Sequence, residues 1–303
     1  MNTSWLTRSP RLLNTAMRID RAPALLWIGL HTAALWPTWR WMAARVADGS
    51  DEPLGLLALA VLGALLWSVR RDLRCAPRLR WLALAVVGTV GATVLRSATS
   101  PLVAALLAIA AWACGLQAFL PDVRRGAMRV AGGVLWPGRR HDIATLPVLG
   151  LAVLALPLIA SLQFYAGYPL RVVTAEASRW LLSPWFAVLR EGSSLNVNGL
   201  LVIVDAPCSG VQLAWAGYFT ACAVALLKGL GNRAFALRLP AVSVAVLAGN
   251  VVRNTLLVGL EGAGRAPGEA LHQVIGLLML AAVCGAVGWV MSHPVRDAKR
   301  LNQ

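Results

Sequence analysis

Long apolar blocks separated by short arginine-rich links constrain this chain more than any other feature of its sequence. A bilayer core about 30 Å thick requires roughly 20 apolar residues per helix, and most of the blocks approach that length. With 58% hydrophobic and 14% charged residues, the chain is not an ordinary water-soluble domain. Strands with open edges cannot span lipid, because their backbone groups would lack hydrogen-bond partners there. We therefore predict an all-α fold, a polytopic membrane helical bundle.

The apolar blocks predict about eight transmembrane helices within a single integral membrane domain over residues 1–303. Their approximate bounds are 24–45, 53–69, 81–96, 101–120, 143–162, 209–229, 236–259 and 271–291. The second and third blocks are short. The basic N-terminus followed by an apolar block resembles a signal peptide, but the seven further spans favour an uncleaved signal anchor.

The distribution of positive charge predicts the orientation of the bundle. Twenty of the 28 lysines and arginines fall in the N-terminus, the tail after residue 291 and the links 70–80, 121–142 and 228–238. Seven lie on the opposite side, and the last, Arg253, lies within a span. By the positive-inside rule, both termini are cytoplasmic. The formal charge of +15 is therefore a topology signal with some attraction to anionic lipid, and we expect no nucleic-acid partner.

The longest link, 163–208, falls on the outer side and carries two local patterns. The amphipathic stretch 172–189 predicts one or two short helices in the membrane interface, interrupted near Pro184. Asn198-Gly199 between β-branched residues predicts a β-hairpin, which must lie above the lipid. We expect this outer loop to act as a lid and specificity element, with a structural cap on the bundle as the equal alternative.

Cys208 differs from the other cysteines because its setting is polar and glycine-flanked, in Asp205-Ala-Pro-Cys208-Ser-Gly210. The five cysteines form no CxxC pair and no zinc spacing with histidine, so we expect neither a metal nor another cofactor. The sixth predicted span begins directly after Cys208, and the positive end of a helix favours a thiolate. Gly210 allows close approach of the backbone.

Topology brings Arg253 and His272 to the same outer layer as Cys208, because each lies near the outer end of its own span. An arginine within a span costs about 2.5–3.5 kcal/mol on insertion scales, so it normally faces a polar interior. Asn250 and Asn254 begin such a polar patch. We predict that Cys208 attacks a carbonyl and that His272 transfers protons, while Arg253 stabilises the thiolate or the developing oxyanion.

Two further residues are weaker candidates, and Arg253 has a simpler alternative. Asp205 could orient the histidine, although an aspartate that forms a turn is the favoured interpretation. Gln212, one turn after Cys208, is a candidate for substrate contact. Arg253 could instead extend to the headgroups and brace the outer loop.

Several motifs in their order and spacing resemble the exosortase/archaeosortase family. They are Gly-Tyr-Pro-Leu-Arg at 167–171, Pro-Cys-Ser-Gly at 207–210, Asn-Val-Val-Arg-Asn at 250–254, and His272 followed by Gly276. The resemblance implies a cysteine protease or transpeptidase of the cytoplasmic membrane that works through a thioester, with Cys208, Arg253 and His272 as its triad. It also implies membrane-anchored protein substrates whose C-terminal sorting signal combines a Pro-Glu-Pro-like motif, a transmembrane helix and a basic tail.

Two other functional classes stay open at this point. A transporter or membrane assembly factor would suit the hydropathy, but we find no convincing internal repeat, and the polar groups cluster at one face rather than at the midplane. An acyltransferase that modifies lipids would use the same thiol and differ only in its acceptor. The sequence does not identify the acceptor, the substrate or the oligomeric state.

Overall fold

The computed structural model describes residues 23–121, 128–130, 133–136, 143–203, 210–265 and 267–293. Within these ranges the chain forms ten helices and two small antiparallel sheets. The helices are α1 (Ala24–Ala34), α2 (Trp36–Ala47), α3 (Gly55–Val69), α4 (Leu79–Leu95), α5 (Pro101–Phe119), α6 (Thr145–Leu154), α7 (Ile159–Leu182), α8 (Val211–Lys228), α9 (Asn232–Gly262) and α10 (Glu269–Ser292). The strands are β1 (Met128–Val130), β2 (Gly133–Trp136), β3 (Val188–Glu191), β4 (Ser194–Val197) and β5 (Leu200–Ile203).

The predicted all-α membrane fold is confirmed, but the number of eight spans is not. In the described part of the chain, α5, α8, α9 and α10 are long and apolar enough to cross a membrane. The pair α6 and α7 gives a fifth span if the two helices are counted together. Helices α1, α3 and α4 are apolar but shorter, with 10–17 residues. Several apolar helices therefore make this a multi-pass membrane protein, and the count of eight stays a prediction.

The first predicted span, 24–45, is divided into two helices at Leu35. Pro37 occupies the first turn of α2, where a missing backbone N–H does no harm, whereas inside a continuous helix it would remove a hydrogen bond. The indole N–H of Trp39 donates to the carbonyl oxygen of Thr32 at 2.7 Å, which satisfies a polar group beside the break.

The fifth predicted span, 143–162, is not straight, because the chain turns by 97° between α6 and α7. A buried carboxylate from a distant loop stabilises the turn: Asp51 Oδ1 accepts the backbone N–H groups of Ile159 at 3.1 Å and Ala160 at 3.4 Å. These are the first amides of α7, which have no partners within their own helix. Asp51 is itself held by Arg45, with Nη2 and Oδ2 3.5 Å apart.

Helix α7 is longer than the short interfacial helices predicted within 172–189. It continues through Pro169, which is exposed. It then ends at Leu182, close to the interruption predicted near Pro184. The last residues of that stretch, from Val188, belong to a strand instead of a helix.

The predicted hairpin at Asn198-Gly199 is confirmed. These two residues connect β4 to β5 and have φ values of 52° and 87°, the left-handed pair that a tight two-residue hairpin requires. Strand β3 pairs with β4 on the other side, which makes a three-stranded sheet. Leu195 and Val197 of β4 are fully buried in a small core with residues of α7 and α9. The sheet therefore covers the end of the bundle where α9 terminates, which we call the sheet end.

Close packing of α8, α9 and α10 fixes the positions of their ends. A Cβ atom at Gly249 of α9 would lie 2.2 Å from Cγ2 of Val283 in α10. One at Gly217 of α8 would lie 2.5 Å from Cγ2 of Val246 in α9. Small residues allow helix backbones to approach closely in membranes. The three helices thus form one unit, and at the sheet end of that unit α8 begins, α9 ends and α10 begins.

Candidate functional site

Arg253 and His272, two of the three residues predicted to be catalytic, lie in contact at the sheet end. Arg253 Nη2 of α9 is 3.3 Å from His272 Nε2, which belongs to the first turn of α10. Both side chains are half-buried. A guanidinium can only donate hydrogen bonds, so Nε2 of His272 is the acceptor in this contact.

The guanidinium of Arg253 lies against the backbone of Gly276, one turn after His272 in α10. A Cβ atom at Gly276 would be 3.5 Å from Nη2 and 3.7 Å from both Cζ and Nε of Arg253. A methyl group would be in ordinary van der Waals contact, but a larger side chain would compete with the guanidinium for the same space. Gly276 therefore leaves room for Arg253 to reach His272.

Gly210 brings the start of α8 against Asn250 of α9. Gly210 has a φ of +83°, and a Cβ atom there would lie 2.6 Å from Cγ of Asn250. Both the backbone conformation and the available space therefore require glycine. Asn250 lies almost one turn before Arg253, so Gly210 contacts α9 within about one turn of Arg253. Cys208 and Asp205 lie outside the described residues, and their roles stay predictions.

Asn250 and Asn254 connect α9 to α7. Asn250 Nδ2 donates to Thr174 Oγ1 at 3.0 Å, and Asn254 Nδ2 donates to Ser178 Oγ at 3.0 Å. All four side chains are buried, with exposed fractions of 0–3%. The spacing of four residues on both helices makes this a polar ladder, which holds the helix face that carries Arg253. Thr174 and Ser178 were not identified as site residues from the sequence, although they occupy one face of the amphipathic stretch.

Gln212 lies at the same end of the bundle, but its described partner is another part of the protein. Its Nε2 donates to Oε1 of Glu52, in the loop between α2 and α3. Asp51, next in sequence, caps α7. This loop was not identified from the sequence, although two adjacent acidic residues are noticeable in a chain that has only 13. Gln212 is exposed, and the loop holds it in place beside the start of α8.

Glu176, also at the sheet end, is fully engaged in ion pairs. Its carboxylate lies 2.6 Å from Arg179 Nη2 and 2.7 Å from Arg190 Nε of β3. Hydrogen bonds from Arg179 and Arg190 lower the pKa of Glu176 to about 2. Glu176 therefore stays ionised, and it links α7 to the sheet. Among the residues that the structure describes, no three His, Cys, Asp or Glu side chains come together as a metal site would require.

A large apolar cavity lies elsewhere, among α1, α4 and α5, with a volume of about 570 Å³. His31 lines it and contacts Thr89 Oγ1 through Nε2 at 2.9 Å. The cavity has no arginine or carboxylate in its lining, whereas the Arg253–His272 pair has both a cation and a proton acceptor. We therefore place the candidate site at the sheet end and not at this larger cavity.

Comparison with known families identifies the family of the chain. The family model described as Transmembrane exosortase (Exosortase_EpsH) matches residues 41–289, which include every described residue of the candidate site. No curated protein and no solved structure matches the chain significantly. Because the match covers most of the sequence, the chain belongs to the transmembrane exosortase family, whose members are membrane-embedded sorting transpeptidases.

Proposed function

We propose that this protein is a membrane-embedded cysteine protease or transpeptidase in which Cys208 is the nucleophile and Arg253 and His272 complete the site. The contact of 3.3 Å between Arg253 and His272 carries the proposal, because a guanidinium and an imidazole from separate helices come together near the start of α8. Two virtual bonds of about 3.8 Å keep the Cα atoms of Cys208 and Gly210 within about 8 Å. Gly210 in turn packs on Asn250, almost one turn from Arg253.

The proposed reaction passes through a thioester. As the guanidinium of Arg253 shifts from His272 Nε2 towards the sulfur, Nε2 accepts the thiol proton of Cys208, and the thiolate attacks the scissile carbonyl carbon. Arg253 stabilises the negative charge, first on sulfur and then on the carbonyl oxygen. When the C–N bond breaks, His272 returns the proton to the leaving amine. Water or an acceptor amine then attacks the thioester and releases Cys208.

The substrates that we propose are exported proteins anchored by a C-terminal sorting signal with a Pro-Glu-Pro-like motif, a transmembrane helix and a basic tail. The substrate helix would dock against the bundle from the side, and this places the cleavage site just above the lipid. The charge distribution supports cytoplasmic termini and a site at the outer face of the cytoplasmic membrane. The sheet of β3, β4 and β5 covers the same end of the bundle as the site and would contact the motif.

The test is processing of a tagged candidate substrate by Cys208→Ala, with Cys284→Ala as the matched control from inside a span. We expect Cys208→Ala to abolish processing at an unchanged level of membrane protein, while Cys284→Ala retains it. A covalent intermediate isolated from the wild type should carry the substrate peptide on Cys208 and should be released by hydroxylamine. Unchanged processing in Cys208→Ala would reject the proposal, and a fatty acyl group on Cys208 would indicate an acyltransferase instead.

A further inference from the structure

Arg171 lies on the buried stripe of α7, among residues that pack against the rest of the protein. The buried positions Gly167, Thr174, Ser178 and Leu182 follow one another at intervals of seven, four and four residues, and Arg171 lies within the longest interval. Because side chains three or four residues apart share one face of a helix, Arg171 projects from the face that contacts α9. Tyr165, which is 74% exposed, lies on a different face of α7.

The guanidinium of Arg171 differs from the other arginines of the outer segment in its partners. Its Nε atom is buried and has no hydrogen-bond partner. Arg179 and Arg190, by contrast, both pair with Glu176. In the part of the chain that the structure describes, no carboxylate forms an ion pair with Arg171. A half-buried cation without a counter-ion is costly, and such a group typically serves to bind an anion.

The position of Arg171 relative to the candidate site is fixed by its neighbour Thr174. Thr174 Oγ1 accepts the hydrogen bond from Asn250, and the same Asn250 side chain packs on Gly210. Arg171 lies about one helical turn, or roughly 5 Å, before Thr174 along α7. Arg171 therefore lies about one turn from the contact between Thr174 of α7 and Asn250 of α9, and that asparagine also contacts Gly210 before α8.

We propose that Arg171 is a specificity-determining residue that binds a carboxylate side chain of the peptide substrate near the scissile bond. This inference rests on the proposed function, because it assigns the chemical class of a group bound at that same site. A peptide carboxylate is favoured over a lipid headgroup because Arg171 is half-buried on the face of α7 that packs against α9, and the proposed nucleophile lies two residues before Gly210, which contacts the same α9 side chain, Asn250. A planar guanidinium that pairs with a carboxylate also gives directional recognition, which a lysine would not reproduce.

Binding to a chain that cannot react gives the first test. In the Cys208→Ala background, we would measure binding of peptides that differ only in one acidic residue of the sorting signal, changed from Glu to Gln. We expect Arg171→Gln to weaken binding of the Glu peptide by about 10-fold or more and to leave the Gln peptide unchanged. The matched control is Arg179→Gln, which should not discriminate between the two peptides. Equal weakening of both peptides by Arg171→Gln would overturn the inference.

Processing by the reactive chain gives the second test and separates the two proposals. Arg171→Gln should raise the KM for the Glu substrate more than it lowers kcat, and Arg171→Lys should restore only part of the loss. Repeating the assay in vesicles with and without anionic lipid detects the alternative partner. An Arg171 effect that follows the lipid and ignores the acidic residue would overturn the inference while leaving the proposed function intact. Processing that does not require Cys208 would instead reject the proposed function.

Discussion

Two helix–helix interfaces of this protein are built from different kinds of residues. Helices α4 and α5 meet through small apolar side chains, and a Cβ atom at Gly88 would lie 2.8 Å from Cβ of Ala111. Helix α9, in contrast, meets α7 and α10 at the sheet end through buried polar groups, among them Asn250 with Thr174 and Arg253 with His272. Small residues are sufficient to hold helices together in lipid. We propose that the polar interface serves the chemistry of the candidate site as well as helix association.

The largest effect should come from removing the cation of the polar interface. Arg253→Gln should lower kcat/KM for processing by about 10²–10³-fold, because it removes stabilisation of developing negative charge. Arg253→Lys should also be severely impaired, since lysine lacks the planar guanidinium. The matched control is Arg238→Gln in the same helix, where the guanidinium contacts the carbonyl oxygens of Met291 and His293. Processing rates at equal protein levels would measure the difference. Equal losses of kcat/KM in Arg253→Gln and Arg238→Gln would contradict a special role for the arginine of the polar interface.

Glycine substitutions should affect the two interfaces in opposite ways. Gly276→Val should displace the guanidinium of Arg253 and lower processing by about 10-fold or more with little loss of stability, whereas Gly276→Ala should be tolerated. Gly88→Ala should lower the free energy of unfolding by about 1–3 kcal/mol through overpacking against Ala111, without a specific effect on processing. Thermal inactivation and processing rates, measured on the same preparations, would test both. Normal processing by the Gly276→Val variant would show that the function of Arg253 does not depend on the space beside Gly276.

The polar ladder between α7 and α9 should contribute a moderate coupling energy. In a double-mutant cycle, Asn250→Ala and Thr174→Ala should couple by about 0.6–1.7 kcal/mol, the range for hydrogen bonds between membrane helices. Asn250→Ala should also reduce processing, because Gly210 packs on that side chain. The pair Tyr218 and Ser243, 2.7 Å apart and away from the site, is the matched control. It should change stability without changing processing, and a similar loss of processing at both pairs would contradict our interpretation.

The smallest effect should come from Glu176, which links α7 to the sheet. Its pKa is lowered from 4.5 to about 2, so its ion pairs favour the folded state above about pH 4.5 and this contribution is lost as the pH falls towards 2. The melting temperatures of the wild type and Glu176→Gln should therefore differ by a constant small amount above about pH 5 and converge below it. A difference that is undiminished at about pH 2 would show that the carboxylate charge is not responsible.

Local patterns in the sequence predicted much of this architecture. The apolar blocks located the helices, Asn198-Gly199 located the hairpin, and alternation of spans brought Arg253 and His272 to one end. Each of these follows from short-range periodicity or from chain topology. The predicted count of eight spans is not established, because several apolar blocks form helices that are shorter than a membrane crossing normally requires.

Contacts between segments that are distant in the sequence could not be predicted from the sequence alone. The 97° turn before α7 depends on Asp51, which lies more than 100 residues earlier. Gln212 is held by Glu52 across a similar separation, and the partners of Asn250 and Asn254 on α7 could not be chosen from hydropathy. Such contacts depend on which faces of the helices meet, and periodicity does not specify this.

The central claim is that Cys208 shares a site with Arg253 and His272, and its reactivity with a membrane-impermeant alkylating reagent tests this most directly. The measurement uses a chain in which Cys75, Cys114, Cys222 and Cys284 are replaced, so that Cys208 is the only thiol. We expect labelling from outside with a pH midpoint below about 8.5, the ordinary thiol value, and an upward shift of about one pH unit in Arg253→Gln. A thiol that is unlabelled from outside, or a pH profile unaffected by Arg253, would contradict the account.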